Sequence, residues 1–163
     1  MTAQSTIMLP SVTKSVMTTL IGIAVDQGKL DLDQPILSFF TERTIANRDP
    51  MKEQVTVRHL VSNSAGFRFN EIDDVATLDT MMESNDWIQY TLDLPVVHKP
   101  GTHFAYFSPG MHLLSAILQK ASGITALEFA VAYLFKPLGI HEVYWPSDPQ
   151  GYPHGLCSSP NVL

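Results

Sequence analysis

From Ser11 to Gln27 the apolar residues Val12, Val16, Leu20, Ile23 and Ala24 return at three- and four-residue steps, the spacing of one helix face. Met17, Ile21 and Val25 widen that stripe almost all round, so the pattern predicts a buried helix, ended by Gly28. Leu30 to Pro35 reads as a turn into a short apolar piece, Ile36 to Phe40, and the polar stretch 41–54, with Asn47-Arg48-Asp49-Pro50, as a surface loop. Thr56 is placed to cap a short helix through Ser62, ended by Asn63-Ser64-Ala65-Gly66. Two further short helices are expected over 75–83 and 85–92, with Ser84 or Asn85 capping the second. Pro95, Pro100 and Gly101 break the next stretch. Leu113, Leu114, Ile117 and Leu118 then share one face of a helix from Gly110 to Ser122, with Gly123 as its stop. Thr125 caps a last helix to about Phe135, ended by Pro137-Leu138-Gly139, and Val143 to Trp145 reads as a strand. No repeat or low-complexity tract interrupts this mostly helical pattern.

Composition narrows the class without deciding it. A chain of 163 residues, 45% apolar and 16% charged, fits one globular domain with a real core. A net charge of −6 argues against nucleic acid or an anionic membrane as the main partner. No run reaches the roughly 18 apolar residues of a membrane span. Met1 to Leu9 has no basic segment of the kind that opens a secretion signal, which leaves the compartment open. Cys157 is the only cysteine, so no disulfide can form within the chain, and its Ser/Pro-rich surroundings suggest an incidental thiol.

The candidate chemistry begins at Ser11-Val12-Thr13-Lys14, directly after Pro10. A serine and a lysine three apart lie one turn apart on the same helix face, where an amine can take the hydroxyl's proton. The N–H groups of the helix start point toward the place where negative charge develops in acyl transfer. Taken alone, a serine at a helix start is more often a cap. Tyr106, taken alone between Phe104 and Phe107, is most simply a core aromatic. His59 reads as a structural hydrogen-bonding residue. His98, His103, His112, His141 and His154 form no i, i+4 pair with a nearby acid, which disfavours a metal site. Asp31, Asp33, Asp73 and Asp74 read as solvated turns. Trp87 and Tyr90 either pack in the helical region or line a cleft.

Several blocks in order resemble the serine hydrolase family of class C β-lactamases, penicillin-binding carboxypeptidases and related esterases, nearest to its 6-aminohexanoate-dimer hydrolase-like branch. They are Pro10-Ser11-Val12-Thr13-Lys14-Ser15, Asp26-Gln27-Gly28-Lys29-Leu30 and Val55-Thr56-Val57-Arg58-His59-Leu60-Val61 with the turn Asn63-Ser64-Ala65-Gly66. Lys99-Pro100-Gly101-Thr102-His103-Phe104-Ala105-Tyr106-Phe107-Ser108 follows, then the run 113–123, Leu134-Phe135-Lys136-Pro137-Leu138-Gly139-Ile140 and Asp148-Pro149-Gln150-Gly151. Together they cover roughly residues 8 to 155 of a single domain, leaving 156–163 as an unassigned tail. The resemblance implies that Ser11 is the nucleophile, Lys14 its neighbouring base and Tyr106 a second proton-transfer group. Tyr106-Phe107-Ser108 stands where the family has Tyr-x-Asn, so Ser108 would meet the substrate with a hydroxyl in place of an amide. No metal and no organic cofactor is implied.

The same resemblance implies an α+β, β-lactamase/transpeptidase-like fold, of which this chain would hold mainly the helical region, with most of the antiparallel sheet missing. The sequence leaves no room for opening strands before Ser11 and carries no Lys-Thr-Gly, His-x-Gly or Trp-x-Gly motif after Tyr106; His154-Gly155 comes too early. Two functions stay open on these residues. One is a hydrolase cleaving a small-molecule ester or amide through an acyl-enzyme on Ser11, with β-lactam or D-Ala-D-Ala specificity as a third choice. The other is an inactive, truncated family member that works as a helical binding module, with self-association through the face a sheet would cover.

Overall fold

In the computed structural model, which describes residues 7–8, 11–69, 75–154 and 157–158, the first apolar stripe forms helix α1 (Val12–Asp26). Its burial is one-sided and not all round. Thr13, Met17, Leu20, Ile21 and Ala24 are buried, while Val12 is 46% exposed. The residues at 13, 17, 20, 21 and 24 form the buried face, and Val16, Ile23 and Val25 flank it, half-buried against the same core. Residues Ile36–Phe39 form a 3-10 turn.

The polar stretch 41–54 is not simply a surface loop. It contains helix α2 (Pro50–Glu53), capped by Asp49, whose side chain accepts from Lys52 N at 2.8 Å. Lys52 is fully buried, and its Nζ donates to Ala46 O and Leu92 O, each at 2.7 Å. Burial holds the Lys52 amine below the usual lysine range, against the pull of Asp93 and Asp49. Lys52 ties this stretch to the helix beyond it.

Helix α3 (Val57–Val61) follows Thr56. As expected, His59 is structural here: its Nδ1 accepts from Thr56 N at 3.1 Å, and burial holds its imidazole below the ordinary range. Helices α4 (Val75–Glu83) and α5 (Trp87–Asp93) come next. The cap of α5 is neither Ser84 nor Asn85 but Asp86, whose carboxylate accepts from Gln89 N at 2.8 Å. Asp33, expected in a solvated turn, is exposed and pairs with Arg58 at 2.7 Å, whereas Asp73 and Asp74 lie outside the described residues.

Helix α6 (Ser108–Ser122) is the centre of the molecule. Every residue from Pro109 to Leu118 is buried, and α1, α3 and α5 all pack on it. Gly123, with φ of 80°, ends it in the left-handed conformation. Thr125 and Glu128 form a reciprocal cap on α7 (Ala126–Ala130), which loosens into a π-type turn over Val131–Phe135 in place of one regular helix to Phe135.

Strands β1 (Ile7–Met8), β2 (Val143–Tyr144) and β3 (Cys157–Ser158) are two residues each and pair antiparallel in the order β1-β3-β2. Two expectations change here. A strand does precede Ser11, and the stretch beyond residue 155 supplies the central strand through Cys157 and Ser158. Strand β2 falls within the strand read at Val143 to Trp145, whereas β1 and β3, at two residues each, carry no readable alternation.

Candidate active site

Ser11 sits in helical backbone geometry just ahead of α1, exposed, with its side chain unused as a cap. Its Oγ instead meets Tyr106 Oη at 2.8 Å, across 95 residues of sequence. Lys14, one turn on, carries its Nζ 4.5 Å from the centroid of the Tyr106 ring. Tyr106 is thus not the core aromatic that its Phe neighbours suggested: Phe107 is buried, but Phe104 is exposed and Tyr106 lies between the two extremes.

What holds Tyr106 in place is the turn after α3. Asn63 O accepts from Ala105 N at 2.9 Å and Asn63 Oδ1 accepts from Phe107 N at 3.2 Å, so both neighbours of Tyr106 hang on one residue. Ser64 O accepts from Gly101 N at 2.8 Å, and Gly66 O from Val97 N at 2.8 Å. Glycine is required at two of these points. Gly66 has φ of +80° and a Cβ there would lie 2.1 Å from His98 O; Gly101 has φ of +83° and a Cβ would meet His59 Nε2 at 3.2 Å. The two sequence blocks around residues 63 and 101 are therefore halves of one clasp.

Beside Ser11 opens a cavity of about 270 Å³. Three helices wall it, each through residues at helical i, i+3 and i+4 spacing. Helix α1 gives Thr13, Lys14 and Met17, α4 gives Leu78, Met81 and Met82, and α6 gives Ser108, Met111 and His112. Trp87 at the start of α5 and Pro153-His154 complete the wall. Ser108, the first residue of α6, thus reaches the same cavity as Ser11 and Lys14. Of the two open roles for the aromatics, Trp87 is both buried and cavity-lining, whereas Tyr90 lines a separate hollow with Arg68, His98 and His103.

The sequence pattern missed His112, Asp148 and His154. His112 and Asp148 pair at 2.7 Å with side chains 5% and 0% exposed. Burial would raise the Asp148 carboxyl, but the His112 hydrogen bond and the Tyr152 and Gln150 backbone N–H groups outweigh it and hold it below the usual range. An ionised carboxylate only accepts, so His112 Nε2 carries the shared hydrogen. His154 is held below the ordinary imidazole range by burial and by His112, against Asp148. A pair 36 residues apart leaves no i, i+4 signal along the chain. Among the described residues no three His, Cys, Asp or Glu side chains come together as a metal would need.

The sequence model of the family named Beta-lactamase matches residues 1–155. The chain belongs to that family. Its relatives include a lovastatin esterase of Penicillium rubens, 25% identical over 163 residues, covering 89% of this chain and 39% of the esterase. Among solved structures, an octameric penicillin-binding protein homologue from Pyrococcus abyssi matches 97% of this chain and 43% of its own, with 26% identity and a TM-score of 0.71. A Bacillus anthracis protein described as a 6-aminohexanoate-dimer hydrolase shares the fold at a TM-score of 0.81 and 14% identity, over 99% of this chain and 46% of that one. The fold is thus β-lactamase/transpeptidase-like, here mostly helical with a small sheet. The chain spans 39% of the length of the Penicillium relative.

Proposed function

We propose that the chain is a serine hydrolase that cleaves an ester or amide through an acyl-enzyme on Ser11, with Lys14 and Tyr106 as its proton-transfer groups. The observation that carries this reading is the 2.8 Å contact between Ser11 Oγ and Tyr106 Oη. A serine hydroxyl attacks only as its proton leaves. Here it leaves along that contact toward Tyr106 and Lys14, whose amine lies 4.5 Å from the tyrosine ring centroid and takes up the proton. The new bond joins Ser11 Oγ to the carbonyl carbon. Tyr106 then returns the proton to the departing alcohol or amine, and water repeats the sequence to free the acid. Ser108, which lines the cavity at the start of α6, donates to the substrate in this reading.

Positioned proton transfer is worth roughly 10²–10⁴-fold. Lys14→Ala and Tyr106→Phe should each lower ester hydrolysis by about that factor, with unchanged far-ultraviolet circular dichroism. Turnover within about twofold of wild type in either variant removes that residue from the reaction.

A further inference from the structure

The cavity beside Ser11 is apolar on nearly every side. Met17, Leu78, Met81, Met82, Trp87 and Met111 supply most of its surface, four of them methionines. Methionine is unbranched and adaptable, and fits flexible chains better than rigid rings of fixed shape. The lining includes no Arg, Asp or Glu, and its one Lys is Lys14. His112 is committed to Asp148, and burial keeps His154 toward its neutral form. A substrate carboxylate would therefore enter without a second cation to meet it. Tyr106, which faces Ser11 Oγ, lies outside this lining. With the leaving group on the Tyr106 side, the part of the substrate that enters the methionine cavity is the acyl chain.

We infer that the substrate is an uncharged ester or amide with a linear or lightly branched aliphatic acyl group, seated in the Met17–Met81–Met82–Met111 cavity. This rests on the Ser11 reading above. At about 270 Å³ the cavity has room for a medium-length acyl chain, for which octanoyl is the representative. Each methylene buried there should raise kcat/KM by roughly fourfold at most.

The test is a series of p-nitrophenyl esters with acetyl, butanoyl, hexanoyl, octanoyl and dodecanoyl groups, beside hydrogen glutarate as a carboxylate-bearing acyl group. On wild-type protein, kcat/KM should climb at least about tenfold from acetate to an optimum near octanoate and fall again at dodecanoate, with hydrogen glutarate the poorest. Met82→Trp, at a side chain exposed enough to change without disturbing the core, should move the optimum toward shorter chains. Hydrolysis with a flat chain-length profile, or with the carboxylate-bearing ester preferred, overturns the acyl-cavity inference and leaves the Ser11 reading standing. No hydrolysis of any ester, together with no fluorophosphonate adduct on Ser11, overturns both.

Discussion

Asn63 shows how much one residue can decide. Its φ of 53° is left-handed, a conformation that asparagine tolerates better than most side chains. In that conformation its backbone and side-chain oxygens reach the N–H groups on either side of Tyr106. Asn63→Ala removes one of these bonds and strains the turn. A misplacement of about 1 Å near a reacting group can cost about 10²-fold, so Asn63→Ala should lower kcat by roughly 10–100-fold with little change in KM. Asn63→Asp keeps an acceptor in the same place and should recover most of the rate. Equal losses in the two variants would mean that the turn serves stability and not the placement of Tyr106. In the sequence this turn and the Tyr106 block stand as two separate family-like blocks, with no sign that one carries the other. That link consists of one backbone hydrogen bond and one to the Asn63 side chain, joining segments more than 40 residues apart that no local pattern connects.

At the scale of elements, the pair His112–Asp148 joins α6 to the turn 148–152. Asp148 Oδ1 accepts from Gln150 N at 2.9 Å and Tyr152 N at 2.8 Å, while Oδ2 holds His112. This one carboxylate thereby shapes the turn that leads to Pro153 and His154 at the cavity wall. Both neighbours give a sign to the pH dependence. A carboxyl held below its ordinary 3.8 stabilises the fold above that pH, and the contribution is lost as pH falls through the lowered value. His154, held below its ordinary 6.5, favours the fold in its neutral form, so stability is lost as pH falls from about 6.5 toward its lowered value. Melting temperature should therefore drop in two stages on acidification, and Asp148→Asn should shrink the acid stage, which the exposed Asp33, Glu42 and Glu128 share. An unchanged acid limb in Asp148→Asn would mean that other carboxylates carry it. Lys52 belongs to the same class of feature. Its polar surroundings in sequence promised a loop, yet two carbonyl oxygens far apart along the chain make burial of the amine tolerable.

Across the whole molecule, caps, stops and periodicity located nearly all the helices, and three- and four-residue spacing named core residues on two of them, α1 and α6. They did not say which faces meet. The walls of the Ser11 cavity at 78, 81 and 82 and at 108, 111 and 112 each carry a legible triplet, but their convergence is set by the packing of α1 and α5 on α6. Strands β1 and β3 and the His112–Asp148 pair lay beyond reach for the same reason: they are relations between distant segments. Ser11, Lys14, Tyr106 and Ser108 were singled out from the order of sequence blocks; Tyr106 meets Ser11 and Lys14, while Ser108 lines a cavity with those two. The account stands or falls on whether Ser11 is activated there. Intact-mass measurement and peptide mapping after treatment with a fluorophosphonate, on wild type and Ser11→Ala, test this most directly. A single adduct on Ser11, absent from the variant, is the predicted result; folded protein that carries no adduct would contradict it.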